Sequence, residues 1–129
     1  MSDRQLISSG GPWEAKVGYS RAVRVGKQVF VSGTVASLPD GTIACPGDIR
    51  GQCRVIFTTI AAALAEAGAT MADVVRVRSF ITDIRRWEGF GEAHGEFFSD
   101  VRPASTMVEV SALMTPDCLI EIEVDAVLT

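Results

Sequence analysis

The sequence predicts a mixed α/β domain with the element order ββαβαββ, in which two helices cover one face of a single sheet. Apolar residues recur at helical spacing in two segments, and they alternate with polar residues in the segments around them. No internal repeat, low-complexity tract or linker divides the chain, which has 129 residues. A chain of this length can bury its own core, so we expect one domain over residues 1–129.

The first two predicted strands form a hairpin. Residues 22–25 and 28–36 alternate in polarity on either side of Gly26 and Lys27. Glycine at the first central position suits a type II′ turn, which matches the twist of the flanking strands. Pro39, Asp40 and Gly41 then predict a turn in the loop that follows.

The first helix is predicted to begin near Asp48 and to end at Gly68, a residue that suits a left-handed helix terminus. Apolar side chains at helical spacing indicate that one stripe of this helix faces the core. They are Ile56, Ile60, Ala63, Leu64 and Ala67.

The next strand is predicted over residues 74–83, and the second helix over residues 86–98. Alternation gives the strand an apolar face and a basic face. The apolar residues are Val75, Val77 and Ile81, and the basic ones are Arg76 and Arg78. The helix carries aromatic residues at helical spacing, although its glycines weaken its intrinsic propensity.

Two strands close the chain, at residues 105–110 and 118–127. The last one alternates apolar residues with Glu121, Glu123 and Asp125, which would share the second sheet face with the arginines and with Phe80. Such a face is either solvated or pairs its charges within an assembly of subunits. A mean hydropathy of +0.25 with 47% hydrophobic residues favours a homo-oligomer.

The charge distribution argues against nucleic acid as a partner. The formal net charge is −4, and no run of lysine or arginine could neutralise a line of phosphates. No apolar stretch is long enough for a transmembrane helix, and the first residues do not resemble a signal peptide. We therefore expect a cytoplasmic protein without a membrane partner.

The cysteines predict neither disulfides nor a metal site. Cys45, Cys53 and Cys118 show no CxxC spacing, and His94 alone cannot complete a zinc site with them. We expect three free thiols that act as small buried residues, with a nucleophilic Cys45 or Cys53 as the minor alternative.

Three segments together resemble the Rid family, also described as YjgF-like. They are GYSRAVRVGKQVFVSG at 18–33, AEAGATMADVVRVRSFITDI at 65–84 and RPASTMVEVSALMTPDCLIEIEVDAV at 102–127. The resemblance implies a chorismate-mutase-like fold assembled as a homotrimer with three intersubunit clefts. In the family's deaminases each cleft binds a 2-imino or enamino acid, which water converts to a keto acid and ammonia. No metal or organic cofactor is implied.

The resemblance also implies the roles of individual residues. The cleft tyrosine corresponds to Tyr19, the glycine whose backbone donates to the ligand corresponds to Gly33, and the glutamate that positions water corresponds to Glu121. The arginine that holds the substrate carboxylate would follow the Pro-Ala pair, where this chain has Ser105, with Thr106 next to it. A serine hydroxyl offers one neutral donor in place of a bidentate guanidinium, so efficient 2-imino acid deamination is not expected.

Other residues are weaker candidates for the cleft. Arg102 lies three residues before Ser105, which on an extended strand is roughly 10 Å away and on the opposite face. Trp87 and His94 on the second helix are predicted ligand contacts. His94 is either a buried core or interface residue or a general base that titrates near neutral pH. Trp13 either caps the cleft or packs on the surface.

The predicted function is therefore a Rid-family protein that binds a small, non-carboxylate or weakly acidic metabolite between subunits, with hydrolysis open and Glu121 holding the water. One alternative is a non-catalytic ligand-binding or regulatory trimer. Another is an imine or enamine deaminase that uses a different cation. The family's other label, L-PSP endoribonuclease, suggests ribonuclease activity, which the acidic charge disfavours.

Overall fold

A computed structural model describes residues 3–129. The strands are β1 (Arg4–Ile7), β2 (Ala22–Val25), β3 (Gln28–Thr34), β4 (Val74–Ile81), β5 (Ala104–Glu109) and β6 (Ile120–Val127). The helices are α1 (Pro12–Val17), α2 (Ile49–Glu66) and α3 (Trp87–Phe98), with short 3-10 turns at Met71–Asp73 and Ile84–Arg86. The predicted mixed α/β fold is confirmed, with β1 and α1 as additions that the sequence analysis did not predict.

The six strands form one sheet in the order β1-β2-β3-β6-β4-β5. All neighbours are antiparallel except β4 and β5, which are parallel. The predicted hairpin is present, since Val25 pairs with Gln28, and Gly26 has a φ of 60° as its turn requires.

The core lies between the sheet and the two long helices. Ile56, Phe57, Ile60 and Leu64 of α2 are fully buried, so the predicted stripe faces the core. Asp48 caps α2 by accepting a hydrogen bond from the backbone N–H of Gly51. Gly68, with a φ of 83°, follows the end of the helix as predicted.

A buried glutamine ties α2 to two loops. The side-chain amide of Gln52 donates to the carbonyl oxygen of Asp117 at 2.9 Å and accepts from the backbone N–H of Leu119 at 3.0 Å. It also lies 3.4 Å from the carbonyl oxygen of Cys45. Because Gln52 is fully buried, these bonds satisfy groups that would otherwise lack a partner.

The prediction that Val75 faces the core is wrong. The register of β4 against β6 shifts between Val74 and Arg76, so Val75 lies in a bulge and is 47% exposed. Val74, Val77 and Ile81 are buried instead. A strict alternation could not anticipate this extra residue.

The sheet face opposite the long helices is called the open face. Arg78 of this face lies 3.5 Å from Glu123 and 3.1 Å from Asp125, so its charges already pair across β4 and β6 within one chain. Register places Leu6 and Phe30 on the same face, and they are 64% and 44% exposed. The open face is thus a mixture of paired charges and uncovered apolar side chains.

The described residues contain no helix that is long and apolar enough to cross a membrane. Between residues 3 and 129 no cluster of three or more potential ligand side chains could hold a metal ion. Cys45, Cys53 and Cys118 are free, and Cys45 is only partly buried. Burial raises the pKa of the Cys53 thiol to about 12, which leaves Cys53 unreactive at neutral pH.

Candidate functional site

The candidate site forms where the ladder between β3 and β6 is interrupted. The register of these strands shifts between Val31 and Thr34, and Gly33 lies within the shift without a partner on β6. The side chain of Glu121 lies directly against this backbone, since a Cβ placed on Gly33 would be 2.8 Å from Oε2 and 3.0 Å from Cδ of Glu121. Gly33 therefore leaves room for this carboxylate, which any larger residue at position 33 would displace.

Tyr19 reaches the same region from the end of α1. Gly18 ends this helix in the left-handed conformation, with a φ of 94°, and the backbone N–H of Tyr19 donates to the carbonyl oxygen of Glu14 at 3.0 Å. The Tyr19 ring is 40% exposed, so it is available to a ligand.

Arg21 is a member of the cluster that the sequence analysis missed. Its Cζ lies 5.6 Å from the centroid of the Tyr19 ring, and its Nη1 donates to Gly33 O and to Thr34 Oγ1, both at 2.9 Å. No local spacing in the sequence marks Arg21, because residues 19–21 precede the first residue of β2 and the side-chain bonds of Arg21 reach to β3.

The surroundings of Glu121 shift the pKa of its carboxyl group. Burial raises the pKa of its carboxyl group, the Arg21 guanidinium opposes this shift, and the nearby Glu123 adds to it. The net result is a pKa above the ordinary value. Glu121 thus exchanges a proton more readily near neutral pH than an exposed glutamate does.

A second carboxylate lies on the other side of Arg21. Glu14 of α1 is buried and accepts hydrogen bonds from Ser8 Oγ at 2.8 Å, from the backbone N–H of Ser9 at 3.2 Å and from Ser9 Oγ. Burial alone would raise the pKa of Glu14, but the bonds from Ser9 and Ser8 and the charge of Arg21 hold it below the ordinary value. Glu14 is therefore ionised, and its carboxylate is engaged in hydrogen bonds with Ser8 and Ser9.

A groove of about 510 Å³ runs beside this cluster, between α1 and the open face. Glu14, Tyr19 and Ser32 contribute to its walls, together with Leu6 and Val23 of the sheet. The groove is wide enough for a small molecule next to Tyr19.

Trp87 and His94 are not brought together with Glu121. Both belong to α3, whereas Glu121 alternates with the buried Ile120 and Ile122 and so points to the open face. Trp87 is 56% exposed at the start of its helix. Within one chain, the sheet separates these two predicted ligand contacts from the candidate site.

His94 occupies an aromatic cluster under the helices. Its ring centroid lies 4.9 Å from that of Phe98, 5.2 Å from Phe90 and 6.0 Å from Phe57. Its Nε2 is buried without a hydrogen-bond partner among the described residues, and burial lowers the pKa of the imidazole. These surroundings correspond to a core histidine.

Ser105 and Thr106 lie on the edge strand β5, and both are exposed. Ser105 is level with Val77, whereas Glu121 is level with Phe80 and two strands away from β5. Strand geometry then separates Ser105 from Glu121 by roughly 14 Å, with their side chains on opposite faces. Arg102, also exposed, precedes the first residue of β5. One chain alone does not join these residues into a site.

Trp13 lies on α1 with 63% of its side chain exposed, and the ammonium of Lys16 sits 5.3 Å from its ring centroid. It is absent from the walls of the groove. In the single chain Trp13 is therefore a surface residue.

Comparisons with known proteins identify a family over nearly the whole chain. The family model described as endoribonuclease L-PSP matches residues 12–128. The crystal structure of Rv2704 from Mycobacterium tuberculosis, described as a YjgF/YER057c/UK114 family member, is 48% identical with a TM-score of 0.87, and the match covers 97% of this chain and 99% of that one.

Two further solved structures are also similar. The protein YyfA from Yersinia pestis, described as a conserved Rid family protein of unknown function, is 32% identical with a TM-score of 0.83 and coverage of 97% and 99%. E. coli TdcF, crystallised with bound serine, is 29% identical with a TM-score of 0.78 and coverage of 96% and 94%.

The raised pKa of Glu121 predicts a pH-dependent effect of Glu121→Gln on stability. Below the ordinary pKa of 4.5 both the folded and the unfolded chain bind the proton, so the variant and the wild type should differ little from ionisation. As the pH rises toward neutrality, ionisation costs the folded wild type more than the unfolded chain. The variant should therefore gain in relative stability, measured as the difference in midpoint of urea unfolding at several pH values.

Glu88→Gln on the exposed surface of α3 is the matched control for this measurement. It removes the same charge outside the cluster and should not reproduce the trend. A difference between Glu121→Gln and wild type that shrinks as the pH rises would contradict the assigned direction.

Proposed function

The chain belongs to the endoribonuclease L-PSP family, also called the YjgF or Rid family, and on this basis we propose that it binds a small metabolite at Tyr19, Gly33 and Glu121. The observation that carries the proposal is the carboxylate of Glu121 packed against the Gly33 backbone, beside an open groove. A glycine without a ladder partner and a partly buried acid next to it are together suited to contact a small polar molecule in the groove. That TdcF was crystallised with serine supports a small polar ligand.

Glu121 has the chemistry to assist hydrolysis of such a ligand. A water molecule held by its carboxylate would lose a proton to Glu121 as its oxygen bonds to the carbon of a C=N group, and Glu121 would return that proton to the nitrogen, which gives a carbinolamine. Glu121 would then take the proton of the carbinolamine hydroxyl and pass it to the nitrogen as the C–N bond breaks, leaving a carbonyl compound and ammonia or an amine. The raised pKa of Glu121 favours this exchange, because it makes the carboxylate a stronger proton acceptor than that of an exposed glutamate.

The site requires more than one copy of the chain. Ser105 and Thr106, which the family resemblance places at the cleft, lie on an exposed edge strand roughly 14 Å from Glu121 in the same chain. The open face also carries exposed apolar residues such as Leu6 and Phe30. We infer a homotrimer in which β5 of one subunit borders the Glu121 cluster of the next.

Ser105 sets a limit on the ligand. The serine hydroxyl offers a single neutral donor where the family's deaminases use a guanidinium to hold a carboxylate. A 2-imino acid bound in the family's orientation would leave its carboxylate without a cation at this position. We infer that the preferred ligand is non-carboxylate or weakly acidic and that 2-imino acids are poor substrates.

A ribonuclease function is disfavoured. The chain has a net charge of −4, and the open face carries Glu121, Glu123 and Asp125. Such a surface repels a phosphate backbone.

A non-catalytic ligand sensor uses the same cluster and differs from the enzyme in that the bound ligand does not turn over.

Light scattering tests the assembly. Purified protein at micromolar concentration should have a mass three times the 13.8 kDa of one chain. Phe30→Asp should weaken the assembly by placing a charge next to Asp125 on the open face, whereas Thr58→Asp on the exposed surface of α2 should not. A monomeric wild-type protein would remove both the trimer and the shared cleft.

A metabolite-library thermal-shift screen tests the ligand site. Compounds that stabilise the wild type should lose their effect on Glu121→Gln, because the amide keeps the shape of the acid but removes its acceptor charge. Mass spectrometry of each hit after incubation separates an enzyme, which consumes the compound, from a sensor, which does not. Hits that stabilise both proteins equally would show that Glu121 is not part of the binding site.

Hydrolysis of 2-iminobutyrate and 2-aminoacrylate tests the consequence of Ser105. The wild-type rate should fall at least on the order of tenfold below that of a family member with arginine after the Pro-Ala pair, since a charge-assisted contact is absent. Ser105→Arg should raise the rate, and Ser105→Gln, which is long but uncharged, should not. Rapid hydrolysis by the wild type would mean that another cation holds the carboxylate.

A further inference from the structure

Arg21 and Glu121 influence each other without forming a direct ion pair. The charge of Arg21 is among the factors that set the pKa of Glu121, yet no ion pair joins these two side chains in the described chain. The guanidinium instead bonds to Gly33 O and Thr34 Oγ1, which fixes it beside the carboxylate. Gly33 therefore contacts both a fixed cation and a partly buried acid that form no ion pair with each other.

Only some of the N–H donors of the Arg21 guanidinium have a hydrogen-bond acceptor among the described residues. Nη1 donates to both of its acceptors, whereas Nε is buried and has no partner among residues 3–129. A buried donor without an acceptor is costly, so an oxygen atom brought to this side of the guanidinium would stabilise the cluster. Nε–H and the adjoining Nη2–H form the edge of arginine that binds planar oxygen groups.

The surrounding charge disfavours an anion at this position. Glu14 and Glu121 both act on Arg21 electrostatically, and Glu123 lies close enough to raise the pKa of Glu121. Arg78 on the open face is already paired with Glu123 and Asp125, whereas Arg4 lines the groove. Beside Arg21, a ligand carboxylate would meet the charges of Glu14 and Glu121, and a neutral ligand avoids this repulsion.

We propose that Arg21 and Glu121 together recognise the O=C–N–H edge of a neutral carboxamide, ureide or lactam. Arg21 donates to the carbonyl oxygen, and the Glu121 carboxylate accepts from the N–H group. The proposal rests on the ligand site inferred above and defines its ligand class. It also places the selecting cation on the segment after α1, away from the β5 position that Ser105 occupies.

A matched pair of probes tests the proposal: 2-oxobutanamide and 2-oxobutanoate, which share a shape and differ in charge. Titrations of wild-type protein monitored by backbone amide NMR should show tighter binding of the amide, by on the order of tenfold, with shifts at Tyr19 and Gly33. Arg21→Gln should lose this preference, and Arg21→Lys should recover little of it, because lysine lacks the planar fork. Arg85→Gln is the control for loss of an exposed arginine and should keep the wild-type preference, because Arg85 pairs with Asp83 outside the cluster.

The outcomes separate this proposal from the more general one. Equal or tighter binding of 2-oxobutanoate, with shifts at Tyr19 and Gly33, would overturn the amide preference and leave the ligand site standing. An amide preference that persists in Arg21→Gln, or that is lost equally in Arg85→Gln, would overturn the role of Arg21. If neither probe perturbs Tyr19 or Gly33, both proposals fail. Thermal melts of the Arg21 variants show whether these variants fold. The comparison of the two probes on the wild-type protein does not depend on any variant.

Discussion

The candidate site depends on one interruption of the sheet. Where β3 and β6 lose their regular register, Gly33 leaves the ladder and the Glu121 carboxylate occupies the space that a side chain would fill. Arg21 then bonds across the same interruption to Gly33 O and Thr34 Oγ1. The bulge thus brings a backbone amide, an acid and a guanidinium together, and the hydrophobic core on the other side of the sheet keeps it in place.

Periodicity was sufficient to predict most of the architecture. The α2 stripe, the Gly26 hairpin and the alternation of β6 each follow from local spacing, and the structure has them close to the predicted bounds. β1 was missed because it is four residues long and mostly exposed, so it carries little pattern. Val75 was misplaced because an extra residue in a strand reverses the alternation beyond it, and no local signal marks that residue.

Only part of the candidate site was predictable from the sequence, and the reason differs from residue to residue. Tyr19, Gly33 and Glu121 came from family resemblance, and the structure places them in one region. Arg21 acquires its position from bonds to another strand, which spacing does not encode. Trp87 and His94 were predicted as ligand contacts of the same cleft as Glu121, but a helix that buries its aromatic face lies on the apolar side of the sheet, away from Glu121. The way in which subunits bring these residues together depends on contacts between chains, which a single chain does not contain.

The position of β6 in the sheet has a consequence for biosynthesis. This strand is the sixth in chain order, yet it pairs with both β3 and β4 in the interior of the sheet. During translation the β2–β3 hairpin and the β4–β5 pair have emerged before the strand that joins them exists. Until β6 is available, the edges of β3 and β4 lack the partner that they have in the finished sheet, and unpaired strand edges favour association between chains.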